Sequence, residues 1–388
     1  MDGQLLLADH DWPSFRGLLA TYEIPEGVAR RVFARVHDPA RPWVAGTPVG
    51  EALGEVAGLS KDGRAALTKA GALPSLKVLE RRRAEDGFEK YLFELHDGHA
   101  VEAVRIPLPD PADARALKER RKAGLAHGLE ALPTSKFVVC VSSQAGCALA
   151  CDFCATGRLG AIRNLSTWEI LEQIRVIAGD AEHPVRGVVF MGMGEPFLNY
   201  DNVIGAARVL SDPAGYAISA KAITISTAGV VPMIRRFTTE GHHFRLIVSL
   251  GAPTSADRLP LMPIEKRWPL PMLMEAVRDY ARTCGNRMTF AYVAIGGVNM
   301  SRQHGRDLVA LLEGLRAKVS LIEVSDEAGL YKPPSEDEIS AFREELSVAG
   351  IPLVRRYSGG QEIGAGCGTL SASQRGGALV TLRPPNQG

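Results

Sequence analysis

The chain has 388 residues, 46% of them apolar and 23% charged, with 45 Lys and Arg against 44 Asp and Glu. That length buries a sizeable core as one large domain plus a smaller one, and the near-zero net charge excludes a basic nucleic-acid coat, leaving local patches for any nucleic-acid contact. No run of eighteen apolar residues occurs, and the start, MDGQLLLADHDW, lacks a basic stretch followed by an apolar one, so the expectation is a cytoplasmic chain without a membrane span or secretory signal.

The first ~85 residues read as short helices broken by turns: PEGVARRVFARV and LSKDGRAALTKAG carry apolar residues at helical spacing. FEKYLFELHDGHAVEAVRIP alternates β-formers around Asp97-Gly98 and reads as a hairpin. A Pro-, Ala- and basic-rich linker follows, with a helix expected near 113–129. From about residue 136, six β-branched runs alternate with helical patterns: KFVVCVSS, GVVFMGMG, KAITIST, RLIVSL, MTFAYVAI and KVSLIEV. Ser166 with Glu169, and Ser335 with Glu338, stand in capping-box spacing, and Ile170, Ile174 and Ile177 share one helical face. Six strands separated by helices imply a parallel α/β sheet, and six are too few to close an eight-fold barrel, so an open, partial (β/α)6 barrel is expected. The chain thus divides into an N-terminal, mainly helical accessory domain (1–88), a hairpin and linker (89–135), an α/β core with a C-terminal cysteine loop (136–372) and a tail (373–388).

Three of the six cysteines fall within eight residues, as Cys147-Ala-Leu-Ala-Cys151-Asp-Phe-Cys154, just past the first strand of the α/β region. A chain this long needs no disulfide staples, so such crowding points to metal ligation. Three thiolates in one loop hold three irons of a cubane and leave the fourth open to an external ligand. The competing readings are structural zinc, which wants a fourth Cys or His that is not nearby in sequence, and buried thiols. One βα unit later comes Gly192-Met193-Gly194-Glu195-Pro196. Glycines here let a ligand approach the backbone, and Glu195 can accept a hydrogen bond from an ammonium group; alone, the segment is as readily a tight turn.

The cysteine spacing resembles the signature of the radical S-adenosylmethionine (SAM) superfamily, and the second segment resembles the motif that holds the amino group of SAM. Several stretches narrow the likeness: CVSSQAGCALAC, MGMGEPFLNYDNV, ITISTAGVVPMIRRF, SLGAP before LMPIEKRWPL, and Gly366-Cys367-Gly368-Thr369-Leu370 near the end. Together with LSKDGRAAL and VEAVRIP they are similar to the RlmN/Cfr family of RNA methyltransferases over most of residues 25–372. The resemblance implies a radical SAM partial barrel with a 4Fe-4S cluster on Cys147, Cys151 and Cys154, and SAM contacts from Gly194, Glu195, Ser226, Ser249, Leu250, Gly251 and Ser325.

It also implies methylation of an adenine ring carbon, C2 ahead of C8, in 23S ribosomal RNA, with some members acting on tRNA. Such a carbon is electrophilic and out of reach of ordinary methyl transfer. By the same likeness, Cys367 first takes a methyl group, a radical from a second SAM removes a hydrogen atom from it, and the carbon adds to the base. Glu102 then removes the proton, and Cys140 attacks the Cys367 sulfur, forming a transient disulfide. On the residues alone, Cys140 could be a small buried residue in an apolar strand, and Glu102, in a hairpin, a solvated charge. Cys284 matches nothing and reads as filler.

Two departures stand out: the family's Ser-Leu-His is Ser249-Leu250-Gly251, and its Pro-Trp-Asn-Pro is Glu323-Val324-Ser325-Asp326, so Ser325 offers a short hydroxyl in place of an asparagine. Candidate RNA contacts are Arg81, Arg82 and Arg83, and Arg115, Lys118, Arg120, Arg121 and Lys122. A flavodoxin- or ferredoxin-type electron donor and a monomer complete the expectation. The competing functions are a radical SAM enzyme with another substrate and a non-catalytic RNA-binding paralogue.

Overall fold

The computed structural model describes residues 4–372 apart from 42, 44–45, 111, 114, 117–132, 286, 327–328 and 357. The tail 373–388, most of the expected helix 113–129, and Lys118, Arg120, Arg121 and Lys122 therefore lie outside the described residues. Four helices open the chain: α1 (Trp12–Ala20), α2 (Glu26–Val36), α3 (Val49–Leu53) and α4 (Lys61–Ala70). Asp11 caps α1 by accepting from the Ser14 N–H at 3.2 Å, and Ser60 caps α4 through Gly63 at 3.0 Å. Helix α2 buries Val28, Val32, Phe33 and Val36 along one face, where Phe33 meets Trp12 and Phe15 edge-on. A short parallel pairing of β1 (Leu5–Leu6) with β2 (Gly71–Ala72) ties the two ends of this unit.

The next strands, β3 (Lys77–Arg83), β4 (Glu89–Glu94) and β5 (Ala100–Pro109), form an antiparallel wing, and β5 pairs antiparallel with β6 (Thr134–Cys140). A small hairpin of β7 (Gln144–Gly146) and β8 (Ala161–Asn164) brackets the short helix α5 (Ala155–Leu159). The remaining strands are β9 (Val185–Phe190), β10 (Ile223–Thr227), β11 (Arg245–Ser249), β12 (Met288–Ala294), β13 (Ala317–Glu323) and β14 (Leu353–Arg355). All the large strands join one ten-stranded sheet in the order β14-β13-β12-β11-β10-β9-β6-β5-β4-β3. From β6 to β14 every pairing is parallel. The connections carry α6 (Thr167–Gly179), α7 (Tyr200–Ser211), α8 (Val231–Glu240), α9 (Ser255–Leu261), α10 (Leu270–Cys284), α11 (Arg302–Leu311) and α12 (Glu336–Val348).

The six expected core strands are all present as a partial barrel, and both capping boxes form. Glu169 accepts from the Ser166 N–H at 3.0 Å, and Glu338 from the Ser335 N–H at 2.8 Å. Six strands were not expected: the short β1, β2, β7 and β8, and two that join the large sheet. β3 lies within the first 88 residues, read as helical, and β14 extends the parallel sheet by three residues. As an edge strand β3 keeps most of its charged side chains partly or fully exposed, so KVLERRR lacks the apolar alternation that marks a half-buried strand.

The sheet has two unlike faces. Val139, Val188, Phe190, Ile225, Val248, Phe290, Tyr292 and Leu321 are fully buried under the helices, each worth roughly 1.5–3 kcal/mol of apolar burial. The opposite face is only partly filled, with a small separate cluster of Ile247, Ala291 and Ile322 against Met191. Register decides which side chains share that inner face. Cys140 stands beside Val189 on one side and Val104 on the other, and Ser226 stands beside Ile247. Because the side-chain period of a strand is two, Cys140, Ser226, Ser249 and, on the wing, Glu102 and Lys90 all project from this one face.

Candidate active site

The cysteine loop leaves β7 and returns through α5 and β8. The Cys147 N–H donates to Gly160 O at 2.8 Å, and the Cys154 N–H to Cys151 O at 3.1 Å, so the loop is closed on itself around its thiols. Burial pushes the Cys147 thiol up to about 12, and Cys154 adds to the rise. Burial raises Cys151 well above its ordinary value, Cys154 and Cys147 reinforcing the shift and Arg258 opposing it. Three soft sulfur donors gathered in one loop suit iron, which binds thiolates well. The donor set thus fits a three-cornered cluster. Among the described residues no three His, Cys, Asp or Glu side chains are grouped as ligands of a single ion.

Beside the loop, Gly194 has φ +99°, and a Cβ on it would lie 2.5 Å from Gln144 Cβ, so only glycine lets this strand end press against residues 142–144. Glu195 is buried, its two oxygens accepting from the Phe197 N–H at 2.9 Å and the Ala228 N–H at 2.8 Å. Burial raises its pKa to about 7, those hydrogen bonds opposing the rise. The Ser226 and Ser249 hydroxyls face each other at 3.4 Å across β10 and β11. Leu250 is fully buried. Gly251 has φ +71°, and a side chain there would collide with the Met262 sulfur, so Met262 fills the space where a histidine would stand. Ser325 does not stand alone at a pocket wall: its Cβ and Oγ lie 3.4 and 3.5 Å from the Cβ position of Gly366, directly beside Cys367.

Cys140 ends β6 with 8% exposure. Burial raises its thiol to about 12 and Cys367 adds to this, while a backbone hydrogen bond from Met191 and the charge of Arg356 oppose it. Cys367 is exposed, and no cysteine is in a disulfide. Desolvation within the loop still raises its thiol, with Arg356 pulling down and Cys154 pushing up. Cys367 therefore lies within electrostatic reach of both Cys140 and the cluster loop. Its own loop is anchored on two sides. Ala155 donates to Gly368 O at 2.8 Å and Thr156 to Leu370 O, while Glu85 donates to Glu362 at 2.8 Å and Gly360 to Asp86 at 2.8 Å. For Glu102 the structure removes the competing reading of a solvated charge. The residue is 6% exposed, because the C-terminal loop folds over it.

A family model described as the Radical SAM superfamily matches residues 141–309. The chain is 50% identical over 308 residues to a "Probable RNA methyltransferase" of Myxococcus xanthus, covering 79% of each. It is 40% identical over 348 residues to a "Dual-specificity RNA methyltransferase RlmN" of Syntrophobacter fumaroxidans, covering 89% of this chain and 91% of that one. A crystal structure of a radical SAM methyltransferase from Sphaerobacter thermophilus superposes with a TM-score of 0.80 at 34% identity, over 95% of this chain and 99% of that one. The chain belongs to the RlmN/Cfr family of radical SAM RNA methyltransferases.

As a radical SAM enzyme it works with a 4Fe-4S cluster and SAM. Among the described residues of this RlmN/Cfr protein no helix is long and apolar enough to cross a membrane. The Arg81–Arg83 triplet is committed within the fold: Arg81 pairs with Glu89 and Asp180, Arg82 with Glu80, and Arg83 with Glu182. Arg115 is exposed. Cys284, partly buried, packs against the core from the end of α10. Two residues near the site escaped the sequence reading. Arg258 is fully buried, bound to Glu265 and donating to Leu250 O at 2.9 Å and Ala228 O at 2.6 Å, so it ties the ends of β10 and β11 together. Lys90 faces Glu102, and its only sequence signal was an inward position in the alternation of EKYLFE.

Proposed function

We propose that this enzyme methylates an adenine ring carbon, C2 ahead of C8, of 23S ribosomal RNA and also of tRNA, by way of a methyl group carried on Cys367. The observation that supports this best is the suspension of an exposed Cys367 between the cluster loop, through Gly368 and Leu370, and Glu102, through Ser371. The dual-specificity name of one relative supports two RNA classes.

When bound on Cys147, Cys151 and Cys154, the cluster supplies the electron that cleaves SAM. Gly194, Glu195, Ser226, Ser249, Leu250, Gly251 and Ser325 form the surroundings of SAM, with Glu195 in its ionised form accepting from the ammonium group. The Cys367 sulfur holds the methyl carbon where the target base, turned out of its stack, can meet it. Glu102 takes the proton lost from the ring carbon. The adduct gives up one electron along with that proton, the oxidised cluster being the acceptor that would take it. Cys140, on the same sheet face, then attacks the Cys367 sulfur as its thiolate. The sulfur–carbon bond breaks as the disulfide forms, its electron pair staying on the carbon, which takes up a proton to become the methyl group. Since burial raises the Cys140 thiol to about 12, the nearby Arg356 charge assists its ionisation. The electron donor is a flavodoxin- or ferredoxin-type protein, and the enzyme is a cytoplasmic monomer.

The test is Cys367→Ala in reconstituted enzyme with RNA transcripts. RNA methylation is lost, and iron and sulfide content stay at the wild-type level. Methyl transfer surviving the substitution would refute the reading.

A further inference from the structure

We propose that Lys90 is a positioning residue for Glu102, holding the carboxylate where it can take the proton and locking it to the loop that carries Cys367. The proposal rests on the reading of Glu102 as the base.

Lys90 and Glu102 come from neighbouring strands, β4 and β5. Register pairs Leu92 with Glu102 and Lys90 with Val104, so Lys90 and Glu102 are diagonal neighbours on the inner face. Lys90 Nζ lies 3.0 Å from Glu102 Oε1, with side-chain exposures of 13% and 8%, and it donates to Gly364 O at 3.2 Å. The other oxygen, Glu102 Oε2, accepts from the Ser371 N–H at 2.9 Å and the Ala372 N–H at 3.2 Å. The pair therefore grips the loop on both sides of Cys367, at 364 and at 371–372. Strand β5 itself is fixed beneath them, since the Ser142 hydroxyl donates to Glu102 O at 2.5 Å.

The surroundings give this pair a functional setting. The wing and the loop enclose a polar cavity of about 80 Å³, lined by Arg82, Lys90, Glu102, Glu362, Thr369 and Ser371 among others. A carboxylate at a cavity wall with one oxygen held by two backbone N–H groups keeps one oxygen for chemistry. A compact, three-donor ammonium can hold that oxygen in place and still share it with a reacting proton. A purely structural ion pair need not open onto such a space. Removing one partner of a nearly buried pair leaves the other charge uncompensated, so Glu102 without Lys90 loses the contact that fixes its Oε1.

The experiment compares full-length, reconstituted wild type with Lys90→Met, Lys90→Arg and Glu102→Gln. Two signals are read: methyl on Cys367 by mass spectrometry, and RNA methylation as kcat and KM. The Cys367 loop keeps its contacts to Ala155, Thr156, Glu85 and Asp86 in every variant, so Cys367 still acquires its methyl group. In Lys90→Met, kcat for RNA falls roughly 10- to 100-fold with KM little changed, the size expected for a misplaced general base. A protein–RNA adduct linked through Cys367 accumulates, as in Glu102→Gln, and Lys90→Arg recovers most of the rate. Wild-type kcat in Lys90→Met, with Glu102→Gln inactive, would overturn the role of Lys90 and leave the base standing. Loss of the Cys367 methyl in Lys90→Met would also overturn it, by showing a structural role. Full activity in Glu102→Gln would show instead that the underlying reading of the base is wrong.

Discussion

At the scale of single residues, the clearest lesson is that chemistry-bearing side chains are given their meaning by distant neighbours. Glu102 looks solvated in its own hairpin and is buried because residues 364–372 fold across it, a contact spanning some 270 positions that no local pattern encodes. The three-cysteine motif, by contrast, was legible because its spacing alone brings the thiols together. The departure at Gly251 has a physical answer that sequence could not supply: Met262 occupies the space, and the backbone there is left-handed. Restoring the family residue with Gly251→His should therefore destabilise the protein by roughly 1–3 kcal/mol, through strain and overpacking. Adding Met262→Ala should recover part of that loss, leaving only the backbone strain. Thermal unfolding measures both, and a Gly251→His protein as stable as wild type would contradict the assignment of Met262.

His37 carries a second residue-scale prediction. It is fully buried against Phe33 with Nε2 lacking a hydrogen-bond partner, and burial lowers its pKa from 6.5 to about 3. The folded state thus disfavours the proton that the unfolded chain accepts below about 6.5. The stabilising effect of the neutral ring is complete above that pH and is lost as pH falls towards 3. The stability difference between wild type and His37→Phe should consequently move against wild type across this window and be constant above it. Urea unfolding from pH 4 to pH 8 reads this directly (about 4 pH units suffice).

At the scale of elements, the six core strands and both capped helices were readable because each is a β-branched run or a capped amphipathic pattern of sufficient length. What escaped were the short, β1, β2, β7, β8 and β14 with two to four residues each, and the polar, β3, whose charges pair mostly with other elements of the chain. The hairpin tip between β4 and β5 shows how strongly such matching can hold an element. Arg163 pairs with Asp97 at 2.5 Å and with the buried Glu169 at 2.8 Å, and His96 also reaches Glu169 at 3.0 Å. Arg163→Ala strands a buried carboxylate and releases the hairpin tip, so it should cost about 3 kcal/mol in denaturant unfolding. An effect near zero would mean that solvent reaches Glu169 and that the tip docks by other means.

At the scale of the whole molecule, one sheet does two jobs. Its parallel part has helices over one face and a half-open inner face, the partial barrel expected from the strand count. Its antiparallel wing continues that inner face outwards and carries Lys90 and Glu102 beneath the Cys367 loop. The join between the two, Val104 beside Cys140, is what puts Glu102 and Cys140, the proposed base and proposed resolving thiol, on a common surface. That join was illegible in sequence because β5 and β6 are separated by residues 110–133, and register across a long connection leaves no trace in either strand. The wing thus belongs to the candidate site as much as the barrel does, with the Cys367 loop held between the cysteine loop on one side and Glu102 on the other.

The most direct measurement follows a labelled methyl group through a single turnover. Reconstituted enzyme is first loaded with methyl-labelled SAM, freed of excess, and then given RNA with unlabelled SAM under reducing conditions. The label should appear on Cys367 alone before RNA is added and on an adenine ring carbon afterwards. Label that never resides on Cys367, or RNA that acquires only the unlabelled methyl group, would contradict the account.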